Sequence, residues 1–333
     1  MKALQITGYG DIQKNLKFSD VENPKIKSNE VLIEVYAAAI NPVDYKIVEG
    51  ALKRVRKLEF PAGTGFDVAG KIVEKGQGVT QFNIGDAVYS RVPTNAPGTF
   101  AEFVAVIAEV VSLKPTNLSF EEAAGLPLVG LTSVQALKTA QFKKGDKVLI
   151  HAGSGGIGTF AIQYAKSQGA YVYTTTSTKN VDWVKALGVD EVIDYKKQNY
   201  LDVVEDADIV FDTLGDPYTK DAFDVIKEGG HVVSIAGILD KQTAKDFGLN
   251  AIIRFILALK RLPVTMAMKR KSAHYNFIFM HPDSEQLDAI RELVEAGEIK
   301  PVVDKVYNFS DALEAYDYQK NGRAQGKVIL KMK

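Results

Sequence analysis

The chain has 333 residues, 46% hydrophobic and 25% charged, the proportions of an ordinary globular protein long enough for two sizeable cores. Its 41 Lys and Arg balance 41 Asp and Glu, which argues against nucleic acid as a partner. With no cysteine it has no disulfides, thiolate nucleophiles or cysteine metal sites. No signal-peptide core opens the sequence and no apolar run reaches the roughly 18 residues of a spanning helix, so a cytoplasmic location is expected.

Residues 1–118 read as mostly strand. Lys2–Thr7, Glu30–Ile40, Asp67–Glu74, Asp86–Arg91 and Phe100–Ile107 are β-branched or alternating runs. Turn residues separate them, among them Gly76-Gln77-Gly78 and Asn95-Ala96-Pro97-Gly98. Many short strands without long helices predict a compact, barrel-like β domain. Pro115 then marks a boundary, and Ser119 with Glu122 three residues on is a capping box that opens a helix.

Beyond it strands and helices alternate. Strands are expected at Lys147–His151, Tyr171–Thr175, Glu191–Asp194, Ile209–Asp212, His231–Ile235 and Tyr275–Met280, with a helix at Asn180–Leu187 closed by Gly188. Such alternation predicts βαβ units and a doubly wound parallel sheet. Lys147–Lys166, KVLIHAGSGGIGTFAIQYAK, carries the most information. An apolar run ends in a loop where Gly153, Gly155 and Gly158 satisfy G-x-G-x-x-G, and an amphipathic segment follows. The first glycine is expected to serve the tight turn, the second the approach of backbone to a pyrophosphate, and the third the packing of helix on strand. Gly153, Ser154, Gly155, Gly156, Ile157 and Gly158 thus form a cradle for a dinucleotide at a helix N-terminus.

An NAD-specific fold places Asp or Glu at the end of the second strand, about 20 residues past the glycines. Here that place reads Thr174-Thr175-Thr176-Ser177-Thr178-Lys179, with no carboxylate before Asp182. Hydroxyls and a lysine suit a 2′-phosphate, so NADPH is the expected cofactor, held by Ser177 and Lys179 and covered by Tyr195. Residues 247–282 contain no Asp or Glu, yet hold Arg254, Lys260, Arg261, Lys269, Arg270 and Lys271 among Ile252, Ile253, Phe255, Ile256, Leu257, Leu259 and Leu262. Pro263 is expected to end this apolar helix, and Tyr275–Met280 to form an edge strand. Two occupants suit such a segment: a second copy of the chain, or an anionic membrane surface met by peripheral contact. The remaining elements are amphipathic helices at Glu285–Ala296 and Ser310–Gln319 and a last strand at Lys327–Lys331, a tail expected to rejoin the first domain. The domains are therefore drawn as 1–118 with 283–333, and 119–282.

Several stretches resemble one family. These are Asn41-Pro42-Val43-Asp44-Tyr45-Lys46, Gly65-Phe66-Asp67-Val68-Ala69-Gly70, Gly130-Leu131-Thr132, the Gly145–Lys166 run, Val192-Ile193-Asp194-Tyr195 and Gly322–Val328. By them the chain resembles the zinc-independent quinone oxidoreductase (zeta-crystallin-like) branch of the medium-chain dehydrogenase/reductase superfamily. The similarity points in particular to the subgroup with the alkenal/enone reductases and the reticulon-interacting protein. The resemblance implies an α/β fold in which a GroES-like β-barrel catalytic domain joins a doubly wound Rossmann domain, and dimers formed along the edge of that sheet. It also implies that Thr132 meets the nicotinamide end of NADPH, and that Leu214, Ala236, Phe277, Phe279 and Lys327 contribute to cofactor binding.

Zinc-dependent relatives hold their metal with Cys, His and Cys. Here Asn41 and Phe66 occupy the first two places and no cysteine exists for the third, so activity without metal is expected. His151, His231, His274 and His281 have no ligand spacing. Hydride addition to a quinone, or to the C=C bond of an α,β-unsaturated carbonyl, needs only a positioned nicotinamide and donors for the developing oxyanion. Asn41 is the first candidate to orient substrate or nicotinamide, with an Asn-Pro turn cap as its structural alternative. Lys46 is a candidate to stabilise an enolate or grip the cofactor ribose, Tyr45 to supply a proton, and Asp44 to brace the loop. The pocket is expected between the two domains, from Asn41–Lys46 and Phe277–Phe279. An enoyl-thioester reductase and a non-catalytic NADPH-binding scaffold are the alternatives.

Overall fold

The computed structural model describes residues 1–53, 57–95 and 98–333; Ala96 and Pro97 of the turn expected at 95–98 lie outside the described residues. Contacts group the chain into two compact units, Met1–Leu131 with His281–Lys333, and Thr132–Met280.

The first unit is built on strand Glu30–Ile40, which pairs antiparallel with Asp67–Lys75, Phe103–Ile107 and Lys327–Lys331. The crossing with Asp67–Lys75 is close: the register shifts between Val35 and Ala37, and a Cβ at Gly70 would lie 2.0 Å from the Glu34 carbonyl oxygen. Ile33, Val35, Phe66, Val68, Phe100 and Tyr316 pack into one buried cluster behind this sheet. The tail returns here. Asp283 caps helix Ser284–Glu295 by accepting from Gln286 N at 3.0 Å, and the buried Tyr89 hydroxyl donates to Leu287 O at 2.6 Å.

The capping box forms as its spacing demands, Ser119 Oγ accepting from Glu122 N at 3.2 Å and Glu122 from Ser119 N at 2.8 Å. Its helix Phe120–Ala124 belongs with the first unit: Phe120 lies on Tyr36 with ring centroids 4.4 Å apart, and Glu121 pairs with Lys331 at 3.1 Å. The units therefore part at 131/132 rather than at 118/119. Strands Leu16–Asp20, Val111–Leu113 and Val303–Asn308 were not expected. Two of the three are rich in exposed polar side chains such as Lys17 and Lys305, and their pairing is set by neighbouring strands rather than by their own pattern.

The second unit holds a six-stranded parallel sheet. Its strands, numbered in chain order within the unit, are β1 (Lys147–Ile150), β2 (Tyr171–Thr176), β3 (Glu191–Asp194), β4 (Ala207–Asp212), β5 (Ile226–Ser234) and β6 (His274–Phe277). Across the sheet they run β3-β2-β1-β4-β5-β6. The order reverses beside β1, where doubly wound sheets open their ligand crevice. Alternate residues of one strand enter cores on opposite faces: Val148 and Ile150 join Ala161 and Ile162 of helix α1 (Gly156–Ser167), whereas Leu149 joins Val210 and Phe223. Burial on both faces explains why these strands read as unbroken apolar runs. The helix expected at Asn180–Leu187 is confined to Val181–Lys185, with Gly188 in the left-handed region at φ 93°. Pro263 departs further from expectation. Helix α2 (Ala251–Lys260) does end before it, but Pro263 then sits in the first turn of α3 (Leu262–Arg270), where its missing N–H is no loss.

Candidate functional site

Chemistry-bearing residues collect in two places, one in each unit. In the second unit they lie at the carboxyl ends of the strands. The glycine loop joins β1 to α1, with Gly155 as the N-cap of that helix. A Cβ at Gly153 would lie 2.3 Å from Thr174 Oγ1, and one at Gly158 would lie 2.3 Å from the Ala152 carbonyl oxygen. Packing within the protein therefore demands both. The left-handed residue of the turn is Ala152, at φ 54°, so the first glycine serves close approach to β2 and not, as expected, the turn itself. Gly155 differs from both: its nearest neighbour to a Cβ would be Ala152 O, at 3.4 Å. Nothing in the protein requires a glycine there, which leaves its space to a ligand.

A buried polar network stiffens this edge. Asp212, at the end of β4, accepts from Leu214 N and Gly215 N, each at 2.9 Å, and from Thr219 Oγ1 and Ser234 Oγ at 2.5 and 2.7 Å. Ser234 Oγ accepts in turn from Gly237 N at 2.7 Å. His151 is fully buried, its Nδ1 3.2 Å from Thr175 Oγ1 and its ring edge-on to Tyr200. Burial pushes its pKa down to about 4, opposed by the Asp212 charge, so the ring is neutral near pH 7.

Around this network stand the residues expected at a cofactor. Ser177, half-buried, follows β2, and its Oγ accepts from Asn180 Nδ2 at 3.3 Å. Lys179 is exposed, with no hydrogen-bond or ion-pair partner among the described residues. Tyr195 follows β3, 54% exposed, with the Lys196 ammonium 5.2 Å above its ring. Leu214 and Ala236 are exposed just past β4 and β5. Phe277 closes β6, and Phe279 packs edge-on against Phe247 with centroids 5.0 Å apart. All lie past carboxyl strand ends, as the glycines do. Thr132 is buried in helix Pro127–Thr139.

The first unit has a buried polar centre. Asn41 is the N-cap of helix Pro42–Val48 and forms a capping box with Asp44. Its Nδ2 donates to Asp67 Oδ2 at 2.9 Å and to Ala39 O at 3.3 Å, and its Oδ1 accepts from the Lys327 ammonium. Lys327 also pairs with Asp67 Oδ2 at 3.4 Å, and Asp67 Oδ1 accepts from Leu128 N at 3.0 Å. Asn41 thus both caps its helix and joins this buried centre, so the turn-cap alternative stands beside the site role. Lys327, expected at the cofactor, is 6% exposed and engaged with Asn41 and Asp67, since a buried ammonium needs a carboxylate beside it. Tyr45 is half-buried against the core, and burial raises its pKa. Lys46 is exposed, without a side-chain partner among the described residues. The structure thus brings Asn41 and Lys327 together but not Tyr45 or Lys46 with them. Asp67 and Asp212 were not expected as site residues; Asp67 acts through Asn41, Leu128 and Lys327, all distant in sequence.

Asp44 is fully buried beside this centre. Its Oδ2 accepts from Asn41 N at 2.6 Å, while its Oδ1 has no hydrogen-bond partner among the described residues. Burial, with the nearby Asp67 charge, overcomes that hydrogen bond and raises its pKa to about 7. Burial raises Asp67 likewise, opposed by Lys327, and lowers Lys327, opposed by Asp67.

Comparison with known proteins gives concordant matches. The family model of the alcohol dehydrogenase GroES-like domain matches residues 27–116, and that of the zinc-binding dehydrogenases matches residues 187–330. The chain is 35% identical to 2-methylene-furan-3-one reductase of Solanum lycopersicum, over 99% of this chain and 79% of the relative. It is 34% identical to the chloroplastic NADPH-dependent alkenal/one oxidoreductase of Arabidopsis thaliana, with the same coverage. The structure of the quinone oxidoreductase from Coxiella burnetii superimposes with a TM-score of 0.87 at 33% identity, covering 100% of this chain and 99% of that one.

The zinc of the second family description finds no donor set here. The Asn41 amide is bonded to an ammonium, and the Phe66 ring carries the Arg91 guanidinium 4.7 Å from its centroid. Two cations thus stand where a dication would be held, and neither Asn nor Phe replaces a thiolate or imidazole. Among the described residues no group of three or more His, Cys, Asp and Glu is placed to hold a metal.

Two tests follow from this geometry. Gly155→Ala should cost at most about 1 kcal/mol of stability, as at any N-cap, yet weaken NADPH binding about tenfold or more. Gly158→Ala should lose about 1–3 kcal/mol through overpacking. Thermal unfolding and NADPH titration measure both, and unchanged affinity in Gly155→Ala would show that its space serves no dinucleotide. The second concerns Asp44. Its folded pKa, about 7, lies above the ordinary value of 3.8. Its contribution to stability is therefore complete below about pH 4 and is lost as pH rises toward 7, at no more than about 1.4 kcal/mol per pH unit. Urea unfolding at pH 5 and pH 8 should show a smaller fall for Asp44→Asn than for the unaltered chain. Asp67, shifted in the same direction, is present in both proteins and does not account for the difference.

Proposed function

Because the chain belongs to the quinone oxidoreductase-like branch of the medium-chain dehydrogenase/reductase superfamily, we propose that it is a metal-independent, NADPH-dependent reductase acting on quinones or on the C=C bond of α,β-unsaturated carbonyls. The observation that carries this reading is the cradle at the strand ends. Gly155 leaves room no internal contact needs, and the rim beside it offers Ser177 and the cation Lys179, without a partner among the described residues, with no carboxylate in the chain from 174 to 181. Hydroxyl and ammonium suit a 2′-phosphate, whereas a carboxylate there would repel it. The names of the relatives, an NADPH-dependent alkenal/one oxidoreductase and a quinone oxidoreductase, support the same chemistry.

NADPH, when bound, supplies the hydride. The chain's own groups bind and orient. The amides of the glycine loop and the start of α1 receive the pyrophosphate, and Tyr195 covers the 2′-phosphate end. In the first unit the Asn41–Lys327–Asp67 bonds hold the start of helix Pro42–Val48 and so the exposed Lys46 that it carries. We assign Lys46 to the developing enolate or quinol oxygen, where a cation lowers the cost of negative charge. A proton from water then completes an enone reduction. The same reading includes a homodimer joined through the edge of β6, which among the described residues pairs with β5 alone.

Initial rates with NADPH and NADH across quinones, alkenals and enoyl thioesters test the proposal. kcat/KM should favour NADPH by at least about tenfold, and Lys179→Ala should remove about tenfold of that preference. Prolonged chelation should leave the rate unchanged. Equal use of both cofactors, or loss of activity on chelation, would contradict it.

A further inference from the structure

Helix α2 (Ala251–Lys260) buries none of its residues. Ile252, Phe255, Ile256 and Leu259 stand at i, i+3, i+4 and i+7, one face of a helix, and are 72, 65, 47 and 56% exposed. Leu262 and Met266 continue the apolar surface onto α3 (Leu262–Arg270), at 52 and 64% exposure. An apolar surface of this extent on a soluble chain marks an interaction site. The charges of the segment itself have one sign. Arg254 and Lys260 lie on α2, and Lys269 and Lys271 stand at the end of α3, with no Asp or Glu anywhere from residue 247 to 282. Of the other two cations, Arg270 is paired with Asp224 and Arg261 donates to Leu239 O at 2.8 Å.

We infer that this face docks on an anionic bilayer surface. Charge decides between the occupants. A second copy docked through the same face would bring its own acid-free segment against this one, so no carboxylate of the segment would neutralise Lys260 where it borders the apolar seam, and like charges in such a contact are costly. Anionic headgroups supply the missing charge, while the acyl boundary takes up Phe255, Leu259 and their neighbours. At 10 residues α2 is far too short to span a bilayer, and among the described residues no helix is long and apolar enough to cross one, so the helix lies in the interface plane. This use of α2 leaves the edge of β6 free for a second copy, and it stands whether or not the chain is a reductase.

Vesicle sedimentation with the full-length protein tests the inference. Binding to phosphatidylcholine mixed with phosphatidylglycerol should exceed binding to phosphatidylcholine alone by at least about tenfold and weaken as salt is raised. Phe255→Ser with Leu259→Ser should abolish binding to both. Lys260→Ser with Lys269→Ser and Lys271→Ser should remove the preference for the anionic vesicles. Circular dichroism and thermal unfolding of both variants should match the unaltered protein, since these side chains are exposed. The inference is overturned if the protein does not sediment with anionic vesicles, or binds neutral ones equally. It is also overturned if the apolar variant halves the mass measured by light scattering, which would show that a second copy covers the face.

Discussion

The first unit depends on one buried ion pair. Lys327 enters from the last strand and Asp67 from the start of a second, while Asn41 comes from the end of a third and Leu128 N from the helix beyond. None of these charges is tolerable alone in such surroundings: removing one partner of a buried pair typically costs about 3–5 kcal/mol, because the other is left uncompensated. Each is therefore held by the others, and four segments far apart in sequence are bound to one point. The same arrangement sets the unit's chemistry. A centre already neutralised by an internal ammonium, with a guanidinium close by over Phe66, has no call for a dication.

The second unit is governed by a different constraint, that of a parallel sheet buried on both faces. With helices on each side its strands offer only their ends, and polar groups gather at the carboxyl end because backbone amides there lack partners within the sheet. Asp212 takes up two such amides and two hydroxyls at once, which makes the turn after β4 rigid without using any exposed group. His151, neutral and enclosed by Tyr200 and Tyr218, fills the same layer. The exposed residues Lys179, Tyr195 and Leu214 are then presented from a stiff rim, which favours recognition by preorganisation.

How much of this was legible in the sequence follows from the range of each interaction. Glu30–Ile40, Glu191–Asp194 and Lys327–Lys331 were bounded to the residue, because β-branched runs and flanking turns are local signals. The glycine loop was legible for the same reason, apart from the duty of Gly153, which depends on Thr174 in the neighbouring strand. Val303–Asn308 was invisible because Val303, Val306 and Tyr307 follow no alternation and its pairing comes from the strand beside it. The bond of Lys327 to Asn41, 286 residues away, has no local signal. Pro263 read as a stop, yet the same ring is well suited to the first turn of a new helix.

The central claim is that this chain delivers a hydride to carbon without a metal, and the position of an isotope tests it most directly. Turnover of an α,β-unsaturated ketone with NADPH deuterated at the transferred position should place deuterium on the carbon β to the carbonyl and leave the carbonyl intact. Deuterium on the carbinol carbon of an allylic alcohol would mean reduction of the C=O bond, and would contradict the account.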